Sequence, residues 1–344
     1  MKLKNKMLDL ITKHKVISII GMAKNVGKTT TLNYILEKIT DKTIGLTSVG
    51  RDGEKEDIVS HLPKPRIYIK AGTIVATTNH CLNNSDFTKQ ILKSTNILTP
   101  LGEVVIVKAL SDGYVDLAGP SFNEQLKIIV RLLESLGSEL TIIDGAFSRK
   151  TIANNLVSEA AILCTGAAYD PDINKVVEDT AHIIELFAIE EVHEDLKEDF
   201  SAIMHKNKVA IIDKNNELII PHITTVLNNA KAIVNELSES SKFLIINGAI
   251  TDELIIALYN NRQKLSQLTI IIKHPTNCLF TKEAKRKLDF TNIRIKCLSK
   301  TDIISLTINP TSPMGLSFNE LEFKALLKQK IVKPIYNVLR DVNE

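Results

Sequence analysis

The residues best suited to chemistry form the motif G-x-x-x-x-x-G-K-T, which spans residues 21–29 and has five residues between its two glycines. An apolar run at residues 16–20 precedes the motif, and residues 30–39 follow it with the spacing of a helix. Glycine lets the backbone wrap closely around an anion, and the amides at the start of a helix attract phosphate. The sequence therefore predicts a phosphate-binding loop between a strand and a helix.

Individual residues of this loop are expected to take different parts in binding a nucleotide. Lys28 is expected to reach the β- and γ-phosphates as a catalytic residue, and the Thr29 hydroxyl to hold Mg²⁺. The predicted nucleotide-binding residues are Gly21, Asn25, Val26, Gly27, Lys28, Thr29 and Thr30. Because the sequence has no N-K-x-D triplet to read guanine through a carboxylate, ATP is favoured and GTP is the alternative. Residues 164–167, after an apolar run, are expected near the nucleotide base.

A phosphate-loop enzyme also needs a carboxylate at the end of a neighbouring strand, to hold Mg²⁺ through water. The strand candidate at residues 140–143, apolar except for Thr141, is followed directly by Asp-Gly. Asp144 is therefore the first candidate for a Mg²⁺ ligand and a catalytic residue. The alternative is that Asp144 only caps a turn. Asp116 ranks second, because the strand before it is less apolar. It is the first residue of a D-x-x-G segment, in which the Gly119 N–H is a candidate sensor of a γ-phosphate.

The polar loop after the second predicted strand contains a third set of candidates. Asp52 is a catalytic candidate that would align water, and a second candidate ligand for Mg²⁺, while Arg51 would neutralise phosphate charge. Such a loop can close over a γ-phosphate and open after hydrolysis. The alternative is a solvent-exposed turn. Arg149 is a further candidate for neutralising phosphate charge.

Alternating strand-like and helical segments predict an α/β fold. Strand candidates in the first half are residues 43–48, 66–70, 74–78, 104–107 and 140–144. With helical segments between them, they indicate a largely parallel, doubly wound sheet, in which ligands bind at the carboxyl ends of strands. Further strand candidates at 209–212, 243–246, 269–273 and 294–298 predict a second, smaller α/β domain. An acidic segment after Ile189, read as a solvated helix face, places the boundary between domains 1–195 and 196–344.

Composition excludes several classes of function. The 344 residues are 44% apolar, and a net charge of only +3 gives no reason to expect a nucleic-acid partner. The four cysteines are isolated from one another, so neither a disulfide framework nor a metal cluster is expected, and a reducing cytoplasm suits them. No apolar run is long enough to span a membrane, and no membrane partner is expected.

With these motifs, residues 16–190 resemble one branch of the phosphate-loop NTPases. This branch includes dethiobiotin synthetase, the nitrogenase iron protein, the Min-type ATPases and the accessory GTPases of metal and cobalamin enzymes. The resemblance rests on residues 21–30, on the Asp-bearing loop after the second strand and on Asp144. Many members place a second lysine directly after the first glycine, where this chain has Met22. A homodimer is a further expectation, although Met22 argues against one in which each subunit inserts a lysine into its neighbour's site.

Two functions follow from the resemblance. The whole chain resembles the reactivase subunit that accompanies the cobalamin-dependent lysine aminomutase. That likeness implies a Mg²⁺-dependent ATPase whose nucleotide state reshapes the second domain to act on a client protein. The alternative is an ATP-dependent synthetase resembling dethiobiotin synthetase, in which Lys28 and Asp144 stabilise a phosphoryl group moving to a small carboxylate or carbamate. The second domain favours the accessory role, because a synthetase would leave it unexplained.

Overall fold

The computed structural model describes residues 6–50, 66–145 and 157–340, which divide into two compact units. The first unit comprises 6–50, 66–145, 157–181 and 301–340, and the second comprises His182–Lys300. This division differs from the predicted boundary between residues 195 and 196. The last described residues, 301–340, belong with the first unit rather than the second.

Within the described residues the chain forms eighteen strands and ten α-helices. The strands are β1 (Val16–Gly21), β2 (Ile44–Ser48), β3 (Ile67–Ile69), β4 (Ile74–Thr78), β5 (Lys89–Thr99), β6 (Gly102–Ala109), β7 (Gly113–Val115), β8 (Leu140–Asp144), β9 (Ala160–Gly166), β10 (Val209–Asp213), β11 (Leu218–Ile219), β12 (Ser241–Ile246), β13 (Ile250–Thr251), β14 (Thr269–Ile272), β15 (Cys278–Leu279), β16 (Arg294–Cys297), β17 (Asp302–Asn309) and β18 (Ile335–Tyr336). The helices are α1 (Lys6–Ile11), α2 (Lys28–Lys38), α3 (Asn79–Asn83), α4 (Asn123–Ser135), α5 (Ile173–Phe187), α6 (Glu194–Lys206), α7 (Ala230–Asn235), α8 (Asp252–Asn260), α9 (Lys282–Asp289) and α10 (Glu320–Lys330).

Nine strands of the first unit form one sheet, in the order β18-β17-β9-β1-β8-β2-β4-β6-β5. The six neighbouring pairs from β18 to β4 are parallel, and β6 and β5 add two antiparallel pairs at one edge. The prediction of a largely parallel sheet is confirmed. The strand candidate at 66–70 is β3, which pairs with β7 outside this sheet.

Helices pack on both faces of the central strands, which explains why those strands are apolar throughout. Ile142 of β8 shares a core cluster with Leu32 and Ile35 of α2. The next residue, Ile143, belongs to a different cluster, with Leu126 of α4. Since successive side chains of a strand point to opposite faces, one apolar strand supports a helix on each side of the sheet.

The pairing of β17 with β9 explains why residues 301–340 join the first unit. The parallel ladder runs from Asp302 opposite Ala160 to Asn309 opposite Gly166. Every residue of β9 is buried. Without β17 this apolar strand would lie at an open edge of the sheet, which is unfavourable for a strand so apolar.

The second unit contains a five-stranded sheet in the order β11-β10-β12-β14-β16. Strands β12, β14 and β16 are parallel, and β10 runs antiparallel to β12. Phe200 of α6 packs with Ile245 and Ile271, whereas Ile270 shares a second core cluster with Leu254 of α8. Helices therefore pack on both faces here too, and a second, smaller α/β sheet is present as predicted.

The acidic segment at the predicted domain boundary is the exposed face of helix α6. Glu194, Asp195 and Glu198 are exposed, while Lys197 forms ion pairs with Glu191 and Glu194. The expectation of a solvated helix face is confirmed for Glu194, Asp195 and Glu198, whereas Glu191 precedes the helix and is half-buried. Of the helices in the described ranges, none has the length and apolar character needed to cross a membrane.

Candidate functional site

The predicted phosphate-binding loop occupies residues 22–27, between the end of β1 at Gly21 and the start of α2 at Lys28. Two of its residues have positive φ, Asn25 at 62° and Gly27 at 93°. Gly27 is also the N-cap of α2, and no side chain caps this helix. The first amides of α2 therefore lack the usual capping oxygen, which is the condition under which a helix N-terminus binds an anion.

Side chains of the loop fold closely over Gly21. A Cβ atom at this position would lie 2.8 Å from Val26 Cγ2 and 2.9 Å from Lys28 Cδ. A larger residue at position 21 would push the Lys28 side chain out of the loop. The first glycine of the motif is thus required by the close approach of Lys28.

The Lys28 side chain curls back across the loop. Its Nζ donates a hydrogen bond of 2.8 Å to the carbonyl oxygen of Ala23, and the residue is half-buried. A phosphate oxygen would accept from this ammonium more strongly than a neutral carbonyl does, because both partners would then be charged. A bound phosphate can therefore replace the Ala23 carbonyl oxygen as the acceptor of the hydrogen bond from Lys28 Nζ.

Asp144 ends the strand next to the one that carries the loop. It lies opposite Ile19 of β1 on one side and Ser48 of β2 on the other. Its backbone is held on both sides, because Gly145 N–H donates to Ile19 O and Val49 N–H donates to Asp144 O, each at 3.1 Å. Asp144 is buried at the carboxyl edge of the sheet, the edge at which the phosphate-binding loop also begins.

The charges of Lys28 and Asp144 both act on one buried thiol. Burial raises the pKa of Cys164, and hydrogen bonds with Thr307 and Thr31 lower it. Lys28 also lowers this pKa, and Asp144 raises it. Lys28, the predicted catalytic lysine, and Asp144, the predicted Mg²⁺ ligand, therefore both lie near Cys164. Cys164 itself is a neutral core thiol rather than a nucleophile.

The predicted Mg²⁺ ligand Thr29 and its neighbour Thr30 lie in the first turn of α2, and both are half-buried. Thr31 is fully enclosed instead, with its hydroxyl 2.9 Å from the hydroxyl of Thr307 on β17. The turn is thus anchored through Thr31, while Thr29 keeps partial access to solvent.

The second-ranked carboxylate, Asp116, belongs to a segment that borders β2. The hydroxyl of Thr77 donates to Asp116 O at 3.1 Å, and Gly119 N–H donates to Gly50 O at 3.0 Å. The Gly119 amide would have to break this bond to sense a γ-phosphate. Asp144 is one strand from β1, whereas this segment borders the strand two places away.

Three predicted residues cannot be placed at the site. Asp52 and Arg51, in the polar loop after β2, lie outside the described residues, and so does Arg149. Their parts in aligning water, binding Mg²⁺ and neutralising phosphate charge stay predictions.

Asn309 contacts the loop but is absent from the predicted set. It ends β17, and its Nδ2 donates a hydrogen bond of 3.1 Å to the carbonyl oxygen of Asn25. Its Oδ1 accepts from the backbone N–H and the hydroxyl of Thr311, at 3.2 and 2.9 Å. The only signal in the sequence is a strand-like segment at 303–308, rich in isoleucine and followed by Asn-Pro, and nothing local places this segment beside the loop.

The segment expected near the nucleotide base, residues 164–167, does lie beside the loop. Met22 N–H donates to Cys164 O at 2.9 Å. The side chains of Cys164 and Thr165 are fully buried, and the Thr165 hydroxyl is 2.8 Å from that of Thr180. These two side chains cannot reach a base, so any contact from Cys164 or Thr165 uses the backbone.

The few protein oxygens at this edge suit a Mg²⁺ ion whose remaining ligands are water and phosphate. Among the described residues, no three His, Cys, Asp or Glu side chains are grouped so as to hold a metal ion. Mg²⁺ commonly binds through one or two protein oxygens, with water and phosphate completing its octahedron. The Thr29 hydroxyl and the Asp144 carboxylate are donors of this type, and the Lys28 ammonium, which lies on Ala23 O, would face the phosphates.

Known proteins provide no further guide to this site. No protein-family model matches the chain, and comparisons with curated proteins and with solved structures gave no match either. A function for the chain therefore rests on its motif and on the geometry around residues 21–29.

Proposed function

We propose that the chain is a phosphate-loop NTPase, with a doubly wound sheet, that binds and hydrolyses a Mg²⁺-nucleotide, with ATP favoured over GTP. One arrangement carries the proposal: Lys28 folds across a loop in which Asn25 and Gly27 have positive φ, and Asp144 ends the adjoining strand. An ammonium, an uncapped helix N-terminus and a carboxylate at one edge of a sheet are the groups that phosphate and Mg²⁺ require.

The side chains divide the work of hydrolysis as follows. Lys28 leaves Ala23 and neutralises the charge that grows on the phosphate oxygens as the bond to the γ-phosphorus breaks. Thr29 and Asp144 are the residues that would hold Mg²⁺. Bound Mg²⁺ supplies further neutralisation of the phosphates. Asp52 is the candidate for aligning the attacking water.

The second unit favours an accessory role for this ATPase. Gly21, Lys28, Asp144 and Asn309 all belong to the first unit, and the second unit has a sheet and core of its own. A synthetase needs only the cleft beside the loop. An accessory protein also needs a surface for its client, which the second unit provides. The resemblance to a reactivase subunit makes a cobalamin-dependent aminomutase the first client to test.

The surface charges of the second unit support docking of a protein client. Glu194, Asp195 and Glu198 are exposed on α6, which packs on one face of the five-stranded sheet. Arg286 and Lys287 are exposed on α9, which contributes to the core on the other face. Exposed charges of both signs on the second unit can orient a charged partner.

Phosphate release tests the proposal and separates the accessory role from the synthetase. Full-length protein is given Mg·ATP or Mg·GTP alone, with small carboxylates, or with a cobalamin-dependent mutase holoenzyme. Stimulation by the holoenzyme alone supports the accessory role. A new phosphorylated or ligated product from a small acid would favour the synthetase. Absence of both binding and turnover would overturn the proposal.

A further inference from the structure

We infer that Asn309 is a positioning residue of the phosphate-binding loop, so that the segment 301–340 completes the nucleotide site. The inference rests on the proposed function. Asn309 has no expected contact with the reacting atoms. Its effect would pass through the loop backbone, which it holds by the hydrogen bond from its Nδ2 to the carbonyl oxygen of Asn25.

This hydrogen bond determines where the next amide of the loop points. In a trans peptide the carbonyl and the following N–H point in opposite directions, so holding Asn25 O toward Asn309 turns Val26 N–H away from it. Within the described part of the chain, no group accepts a hydrogen bond from Val26 N–H, although Val26 is only 1% exposed. A buried N–H without an acceptor is costly, and a bound anion would satisfy it.

The orientation of the Asn309 amide is itself held in place. Its Oδ1 accepts two hydrogen bonds from Thr311, which leaves Nδ2 to face the loop. The Asn309 Cβ would also lie 3.4 Å from a Cβ built on Gly27, so the side chain packs against the second glycine of the motif. Asn309 is therefore bound on one side by its own segment and on the other by the loop.

Strand β17 makes a second contact two residues earlier. Thr307, on the same face of the strand as Asn309, has its hydroxyl 2.9 Å from that of Thr31 in α2 and donates to Cys164 Sγ at 3.1 Å. The same strand thus holds the apex of the loop and the first turn of the helix after it. Together these contacts make the C-terminal segment a part of the site.

Removing the amide should weaken nucleotide binding without slowing the chemical step. We expect Asn309→Ala to raise the Kd and the KM for Mg·ATP at least fivefold and to leave kcat within twofold of wild type. In nucleotide-free protein, hydrogen exchange at Val26 should become faster. Asn309→Asp, which has nearly the same shape but cannot donate, should speed this exchange as well. The aspartate variant provides the same test if Asn309→Ala does not fold.

Ser312→Ala is the matched control, because it removes a polar side chain from the same segment. The Ser312 hydroxyl accepts from Met314 N–H at 3.3 Å, a contact within its own turn. Wild-type exchange and affinity are expected for this control. Thermal unfolding of all variants checks that differences arise in the loop and not from loss of the fold.

The outcomes of these measurements are distinct. Faster exchange at Val26 with a higher KM and an unchanged kcat supports the inference. Unchanged exchange and affinity in Asn309→Ala overturn it, and so does faster exchange without any change in affinity. If wild-type protein binds no nucleotide, the proposed function fails. In that case the comparison of hydrogen exchange at Val26 between wild type and Asn309→Ala is the only test of whether Asn309 positions the loop.

Discussion

Asp144 is a carboxylate buried at the end of an apolar strand, where lost hydration must be offset by partners or by a cation. We predict that Asp144→Asn binds Mg·ATP but hydrolyses it roughly 100-fold more slowly, because a neutral amide would hold Mg²⁺ less firmly and so weaken the neutralisation of charge that the ion would supply. Steady-state phosphate release and equilibrium binding measure the two effects. Asp116→Asn is the control, with near-normal turnover expected. Loss of turnover in Asp116→Asn alone would transfer the role to Asp116.

We expect His274 to make the second unit sensitive to acid. It is 1% exposed, and its Nδ1 accepts from Thr276 N–H at the start of the 3₁₀ turn Pro275–Asn277. Burial lowers the pKa of His274 to about 4, from an ordinary value of 6.5. Between these two pH values the unfolded chain binds more protons than the folded chain. The contribution of neutral His274 to the free energy of unfolding is therefore fully present above pH 6.5. It falls by roughly 3 kcal/mol as the pH drops towards 4.

Replacing His274 should remove this dependence on pH. His274→Asn keeps an oxygen that can accept from Thr276 N–H but does not titrate in this range. We expect the difference in unfolding free energy between pH 7 and pH 4.5 to be smaller in the variant than in wild type, as measured by urea denaturation. The same pH dependence in both proteins would contradict the assignment to His274.

At the scale of secondary-structure elements, α2 and β17 are joined by the buried hydroxyls of Thr31 and Thr307. We expect Thr31→Val and Thr307→Val each to lower the free energy of unfolding by about 1 kcal/mol, since each leaves a buried hydroxyl short of a partner. The double variant should lose less than the sum. Urea denaturation of all four proteins gives the coupling, and strictly additive losses would show that the two hydroxyls do not interact.

Elements whose burial is decided locally were predictable. Strands β4 and β8 have the predicted bounds, 74–78 and 140–144, because each is a short, fully buried apolar run that ends at a polar residue or a turn. The long strand β5 was not predicted, since it lies at the sheet edge and most of its residues are exposed or half-buried. Such a strand follows from its pairing with β6, which local periodicity does not contain.

The site was predictable to the same extent. The motif at residues 21–29 and the carboxylate after β8 were found because their spacing is local. Asn309 could not be found, because its contact with Asn25 joins positions 284 residues apart in the chain. That contact depends on β17 pairing with β9, and no short-range pattern specifies which strands become neighbours.

At the scale of the whole molecule, the first unit is assembled from separate stretches of the chain. A fragment of residues 1–195, the predicted first domain, lacks β17 and β18. We predict that it aggregates or fails to unfold cooperatively, because the buried strand β9 becomes an exposed apolar edge. Size-exclusion chromatography and thermal unfolding measure this against the full-length chain. A soluble, cooperatively folded fragment would contradict the assignment of 301–340 to the first unit.

Binding of Mg·ATP to full-length protein, compared between wild type and Lys28→Ala, tests nucleotide recognition most directly. Lys24→Ala is the matched control, since it removes the same charge from an exposed position of the same loop. We predict that wild type and Lys24→Ala bind alike. Lys28→Ala should bind at least tenfold more weakly, about 1.4 kcal/mol, with its fold intact by thermal unfolding. Wild-type affinity in Lys28→Ala, or no binding by wild type, would contradict a phosphate-binding role for this loop.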